Sequence, residues 1–361
     1  MIEPASAPIK MRFVSKPAPA DVTETNSSAP STPSSSSSSD TTAPPYGALR
    51  AFLLESAAPC ATLSSQQPMS GAAWGLAPAQ HMPLPFATAA APRVEVRQVW
   101  AHNFDWEVKL IESLLPKFRY LAVDTEFPGT VYRPVGPAYM LTPEKRYALL
   151  KANVDELELI QLGLTLFDAG CRLPGLGGGS TRYVWEFNFR EFDVRRHRHA
   201  PESIAMLRTK GVDFDRTRED GVDASVFGPR LRKWLRAGLG RAGVVTFSGG
   251  YDLAYLVKMM FGRGYKLPAT AEEFEGVAKS LLRRKLFDVK EMARHCPRDL
   301  RGGLDSVAMK LNVLRTVGEA HQAGSDSLLT CHTFMKMRER YFDDDDKLTR
   351  VAGMLAGITA F

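Results

Sequence analysis

The chain has 361 residues, with 46 Lys and Arg against 40 Asp and Glu for a formal net charge of +6. Its four cysteines, Cys60, Cys171, Cys296 and Cys331, form no CxxC pair, which argues against a structural zinc site or a disulfide framework and fits a reducing compartment. No stretch approaches the ~20 apolar residues of a membrane helix, and Met1-Ile2-Glu3-Pro4 is not expected to open a secretory leader.

In chain order, residues 1–93 read as a disordered Ser-, Pro- and Ala-rich extension. Asn26 to Pro45 is dominated by Ser, Thr, Pro and Ala, with six serines in a row from Ser34 to Ser39, too little apolar mass to offset its own ordering entropy. Residues 1–90 hold four basic and five acidic side chains, a net of −1, so the remainder carries about +7. From about Val94 apolar residues recur at regular spacing, and one α/β domain is expected over residues 94–343, followed by a C-terminal tail at 344–361. Within it, Asn103 to Leu115 predicts a helix stopped by Pro116, and Tyr120–Asp124 a strand. Thr142-Pro143-Glu144 opens a second helix. Glu158–Phe167 and Arg182–Phe187 predict strands, joined across a loop marked by the glycines at 175 and 177–179.

Helices are expected near Pro201–Thr209 and Gly221–Arg236, a short strand at Val244–Phe247, and a helix from near Gly250. Leu286–Val289 resembles another strand end, Leu304–Leu311 a helix, and Ser325–Phe342 the last long helix. Strands come early and paired, then alternate with helices, which predicts a mixed sheet flanked by helices. The acidic run Asp343–Asp346 is expected to end that last helix and stay solvated, because carboxylates oppose a helix C-terminus. The mildly apolar Val351–Phe361 is expected to dock on the domain or on a partner.

The chemistry starts at Leu121-Ala122-Val123-Asp124-Thr125-Glu126. Side chains at i and i+2 of a strand share a face, so Asp124 and Glu126 stand side by side at the end of a buried strand. Two such charges are costly without a positive partner, and a divalent ion is the simplest one. Asp252 follows the strand Val244–Phe247 at a helix start, and Asp326 stands at the start of the final long helix. His321 precedes Asp326 by five residues; on a regular helix that spacing turns ~500° and parts the side chains. With Gly324 between them, His321 is expected in the entering loop, free to face the site that Asp326 lines. Acidic motifs that recur downstream, without clustered Cys or His, suit a hard divalent ion and make a metal-dependent nuclease the working reading. Taken alone, His321 is more often a satisfied loop histidine than a base, and Asp252 more often an exposed helix acid. Phe127 is either a base-stacking platform or a core residue, whereas Tyr251 and Tyr255 read as packing residues. The basic run Arg195–His199 reads as a solvated loop ahead of an RNA contact.

The order Asp-x-Glu, Asp, His-x-Ala-x-x-Asp resembles the DEDD exonuclease superfamily, in its subgroup with a histidine base. More closely, Val99-Trp100-Ala101-His102-Asn103-Phe104, Asp124 to Gly129, Leu159 to Leu164, Trp185-Glu186-Phe187-Asn188-Phe189, Gly250-Tyr251-Asp252 and His321 to Thr330 resemble the Caf/Pop catalytic deadenylase subunits of the Ccr–Not complex, plant-like in flavour. The resemblance covers about Val94 to Asp343. It implies an RNase H-like fold and 3′-to-5′ removal of 5′-AMP from poly(A) tails. It further implies that Asp124 bridges two metal ions, that Glu126 and Asp326 complete the site activating the water, that Asp252 holds the second ion, and that His321 is the base. Implied partners are single-stranded RNA with a poly(A) 3′ end, a Ccr-type nuclease and a Not scaffold, with no membrane, in cytoplasm and nucleus. The chain departs from the family at Phe247-Ser248-Gly249, where a His is common, and in the longer stretch around Leu173–Gly179. A DNA 3′-exonuclease and a non-catalytic scaffold or RNA-binding subunit are the competing readings. The first lacks the Phe-Pro-Gly and Gly-Ser-Asp-Ser-Leu-Leu-Thr contexts, and the second has no need of a costly carboxylate cluster.

Overall fold

The computed structural model describes residues 92–137, 140–282, 285–297 and 300–358, so nearly all of the Ser-rich extension lies outside the described residues. The chain divides into two compact units. In the smaller, Gly175 and Arg182 form an isolated antiparallel bridge, and the Arg182 N–H donates to the Arg93 carbonyl over 2.8 Å. The larger, with Val94–Pro174 and Tyr183–Phe361, holds the functional chemistry.

The elements run β1 (Val94–Val99), α1 (Phe104–Leu114), β2 (Tyr120–Glu126), α2 (Pro143–Glu156), β3 (Gln161–Phe167), β4 (Arg182–Asn188), α3 (Pro201–Thr209), α4 (Phe214–Asp220) and α5 (Ala224–Ala237). They continue with β5 (Gly243–Thr246), α6 (Gly250–Phe261), α7 (Ala271–Leu282), β6 (Leu286–Asp288), α8 (Val289–Arg294), α9 (Leu304–Lys310), α10 (Ala323–Tyr341) and α11 (Asp345–Val351). Local chemistry sets the starts. The Thr142 hydroxyl accepts from the Lys145 N–H ahead of Pro143 in α2. Asp223 caps α5, which therefore begins three residues later than the Gly221 expected from sequence. Strand β1 and the helices α4 and α8 carry no sequence signal read above; α4 and α8 have seven and six residues, too short for an apolar period to register.

The sheet order is β1-β4-β3-β2-β5-β6. Strands β2, β3 and β4 pair antiparallel, whereas β2, β5 and β6 pair parallel, so β2 is where strand direction switches. Alternation along β2 gives each face its own helix. Leu121 faces Leu253, Leu256 and Val257 of α6, while Tyr120 and Ala122 join the core cluster under α10. That helix presents Leu328, Cys331, Phe334 and Met337 at three-residue intervals, all buried, and Phe334 meets the rings of Tyr120, Phe167 and Phe287. Truncating such a ring costs about 3–5 kcal/mol. The same parity puts Asp124 and Glu126 on the α10 face of the sheet and Thr125 on the α6 face.

The C-terminal segment corrects the sequence reading. The acidic run does not trail off a helix end but starts α11: Asp344 is the N-cap, and Asp345 and Asp346 occupy the first turn, where the helix dipole favours them. Leu348, Val351, Leu355 and Ile358 are buried, and the Gly353 N–H donates to the Leu286 carbonyl over 2.8 Å. No helix among the described residues is long and apolar enough to cross a membrane.

Candidate active site

Strand β2 ends in the half-buried Asp124 and the buried Glu126, across from Gly163 and Gln161 of β3. Helix α10 enters at the same place. A Cβ on Gly163 would lie 1.8 Å from the Ala323 carbonyl oxygen, so glycine alone lets the first turn of α10 reach the strand beside Asp124. That turn carries Asp326. The buried Glu186 of β4 accepts the Gly324 N–H at 2.8 Å, satisfying a donor that no side chain of the helix's own N-cap meets. Gln98 and Gln161 donate to its other oxygen at 2.9 and 3.1 Å.

His321 stands outside α10, as its spacing predicts, with a left-handed φ of 65°. Its N–H donates to Asp326 Oδ2 at 2.8 Å, which ties the loop to the helix. Ligand atoms of Glu126, His321 and Asp326 all lie within 4.8 Å of one another, with the His321 side chain exposed and the two carboxylates buried. Asp124 and Asp252 are not in that tight triad, but both charges press on it. Asp252 sits in the first turn of α6, on the other side of β2, where the Thr125 hydroxyl donates to its Oδ1 at 2.5 Å.

The electrostatics follow from this crowding. Burial, reinforced by Asp252, Glu126 and Asp326, holds the Asp124 carboxyl well above the usual range. Burial first, then Asp326 and Asp252, push Glu126 up to about 8. Burial raises Asp252 to about 7, against the opposing Thr125 hydrogen bond. Asp326 is raised by burial in spite of Arg315, whose Nη1 lies 2.6 Å from its Oδ1. That oxygen accepts no well-aligned hydrogen bond, so the pair is coulombic in character. Arg315 also bonds Ser325 Oγ at 2.5 Å and Asp305 at 2.8 Å. Excess buried negative charge with an under-coordinated carboxylate oxygen, and oxygen donors throughout save one imidazole, fits hard divalent cations.

Phe127 is half-buried and stacks on Tyr251, with centroids 4.8 Å apart and planes 17° apart; Tyr255 lies 5.3 Å away. Tyr255 is buried, as expected of a packing residue. The Ser248–Gly249 turn is held by buried Asp288, which accepts both backbone N–H groups at 2.9 and 3.1 Å. Sequence reasoning did not single out Arg315, Glu186, Asp288 or Thr125. Thr125, lying between the two singled-out acids, was the most accessible: alternation sends it to the face opposite theirs.

Residues 99–223 match the profile of the CAF1 family ribonucleases. Over 268 residues, 73% of this chain, it is 39% identical to the probable CCR4-associated factor 1 homolog 7 of Arabidopsis thaliana, of which the alignment covers 94%. The chain belongs to the CAF1 ribonuclease family. The family's Poly(A) ribonuclease pop2 of Schizosaccharomyces pombe is 36% identical over 265 residues, 72% of this chain and 75% of that protein. The structure of S. pombe Pop2p in its Mg²⁺- and Mn²⁺-bound form superposes with a TM-score of 0.64, at 36% identity, over 73% of this chain and 99% of that one. The CAF1 co-crystallised with the yeast NOT1 MIF4G domain aligns with a TM-score of 0.58, at 25% identity, over 72% and 96% of the two chains. The mixed sheet flanked by helices expected from sequence is the architecture this CAF1 family member has.

Proposed function

We propose that this chain is a 3′-to-5′ exoribonuclease that shortens mRNA poly(A) tails and releases 5′-AMP, working as a catalytic subunit of a Ccr–Not assembly. The observation that carries the reading is the convergence of Glu126, His321 and Asp326 within 4.8 Å beside the crowded Asp124 and Asp252. Family membership supports it through the poly(A) ribonuclease activity in the name of one relative. In this reading Asp124, Glu126, Asp252 and Asp326 hold two divalent ions, Mg²⁺ or Mn²⁺, the metals bound in the Pop2p structure. Bound there, such ions supply Lewis-acid activation of water and neutralise charge on the leaving oxygen.

The protein's own residues do the rest. His321, exposed at the mouth of the triad, takes the proton of the attacking water on its imidazole nitrogen. The hydrogen bond from its backbone to Asp326 and its left-handed φ hold it there. Thr125 orients Asp252, and Glu186 anchors the turn that carries Asp326. Phe127, backed by Tyr251, offers a face on which the terminal adenine stacks. A Not scaffold is the expected partner, supported by the NOT1–CAF1 co-crystal, together with a Ccr-type nuclease. Action on mRNA tails fits cytoplasm and nucleus as its compartments. The test is RNA with an internal non-A sequence and a 3′ adenosine tract, labelled at its 5′ end and incubated with the full-length chain. A ladder that recedes through the tract and slows at the non-A boundary is expected. An intact substrate under both metals, in the presence of Not scaffold, is the result that leaves only a non-catalytic role.

A further inference from the structure

A cavity of about 600 Å³, within the size range of ligand sites, opens beside the loop that delivers Asp252. Ser248, Gly250 and Tyr251 form one wall; Tyr251 directly precedes Asp252, and its ring stacks on Phe127, which directly follows Glu126. Its remaining polar lining is Arg146, Lys290, Arg294 and Arg301, and no lining residue among those described is acidic. Two nearby acids among the described residues are already engaged. Asp288 is fully buried and accepts backbone N–H groups from Ser248, Gly249 and Ala356. Glu291 is buried and pairs with Arg294 at 3.3 Å and His295 at 3.5 Å. Arg294 is thereby partly compensated, whereas Lys290 and Arg301 are exposed at the rim.

Two other cavities lack this bias. One of about 350 Å³ sets Glu158, Glu191 and Asp223 among its cations, and one of about 270 Å³ sets Glu186 and Asp213 against Lys210 and Arg216. The cavity is also built in part by the C-terminal segment. Ala356, Gly357 and Ile358 close one side, and Gly357, at a φ of 79°, leaves room for the Arg146 guanidinium, which a Cβ there would meet at 3.0 Å. Charge of one sign among the described lining residues, with Tyr251 shared between the cavity and the Phe127–Tyr251 stack, matches a polyanion with stacked bases.

We propose that this cavity binds the phosphate backbone of the single-stranded RNA whose 3′ end lies at the acidic centre, with Lys290 and Arg301 as phosphate contacts. This rests on the reading above that the substrate is RNA. Each phosphate contact contributes about 0.7 to the slope of log affinity against log salt for a single strand. The experiment uses the full chain carrying Asp124→Ala, which stops hydrolysis, and fluorescence anisotropy with a labelled oligoadenylate of about twenty residues, to span a groove's usual site size.

Adding Lys290→Ala with Arg301→Ala is expected to weaken binding at least tenfold and to lower the salt slope by about 1.4. The charge-conserving pair Lys290→Arg with Arg301→Lys is expected to keep the slope of the parent, and Lys347→Ala, at an exposed ion pair with Asp343, to change neither quantity. Parental affinity and slope in the alanine pair overturn the proposal and leave the cavity to an acidic protein segment. Should the alanine pair not fold, loss of binding in the folded charge-conserving pair overturns it as well. Failure of the functional reading is separate: wild type that shortens no RNA contradicts that reading, while the salt slopes still report on the cavity.

Discussion

Glu126 gives the sharpest test of the electrostatics. Its carboxyl sits at about 8 against an ordinary 4.5, because it is buried with Asp326 and Asp252 pressing on it. The folded chain therefore binds a proton that the unfolded chain has released, and metal-free stability falls as pH rises from about 4.5 to about 8. At about 1.4 kcal/mol per pKa unit, that shift corresponds to roughly 5 kcal/mol lost above the window when no cation compensates. Glu126→Gln keeps the shape and removes the charge. Allowing for an amide that must find partners in a buried site, the variant in chelator near pH 8.5 should gain roughly 2–3 kcal/mol. For a domain of this size that is an increase in Tm of about 5–10 °C. Near pH 5, where the wild-type carboxyl is protonated, the gain should shrink toward zero. Divalent metal should reverse the order at high pH by stabilising the wild type alone. Thermal melts of both proteins in chelator and in Mg²⁺, across that pH range, make the comparison. A variant no more stable than wild type in chelator at high pH refutes the premise that uncompensated charge is stored at this site.

Other predictions follow from single contacts. His321→Ala should lower kcat by about 10²–10⁴-fold with little change in Tm, measured as the initial rate of AMP release, since the side chain is exposed and general-base catalysis is worth that much. Thr125→Val removes the 2.5 Å donor to Asp252 and should raise the metal concentration for half-maximal activity by about 10–100-fold, read from a Mg²⁺ titration. Glu186→Ala strands the buried Gly324 N–H and removes one of the two acceptors of Gln161, and should cost about 1–3 kcal/mol in urea unfolding. Gly163→Ala pushes a methyl against the Ala323 carbonyl and should cost about 3 kcal/mol or more while displacing Asp326, so both the urea midpoint and activity fall.

Much of this site was legible because its chemistry is written in local patterns. Asp124 and Glu126 lie two apart at the end of an apolar strand, and the five-residue spacing of His321 and Asp326 with a glycine between them placed the histidine off the helix. The supporting residues left no such mark. Arg315 is one of 46 basic side chains, and only the folding of the 305–325 segment brings it to Asp326. Glu186 lies inside a strand whose alternation says nothing of the helix end it caps, and Gly163 matters only because a carbonyl from residue 323 approaches it. The acidic run at Asp343–Asp346 misled for a different reason. The same carboxylates that oppose a helix C-terminus favour an N-terminus, and only the chain's turn between α10 and α11 decides which one they meet.

Hydrolysis of the terminal phosphodiester of poly(A) at the carboxylate centre is followed best at the terminal nucleotide itself. RNA ending in adenosines, labelled at the 3′-terminal nucleotide, is incubated with full-length wild type and with Asp124→Ala in Mg²⁺, in Mn²⁺ and in chelator. Labelled 5′-AMP is expected from the wild type in either metal, none in chelator, and a rate at least about 10³-fold lower from the variant. Equal AMP release from Asp124→Ala, or release by the wild type that persists in chelator, would contradict it.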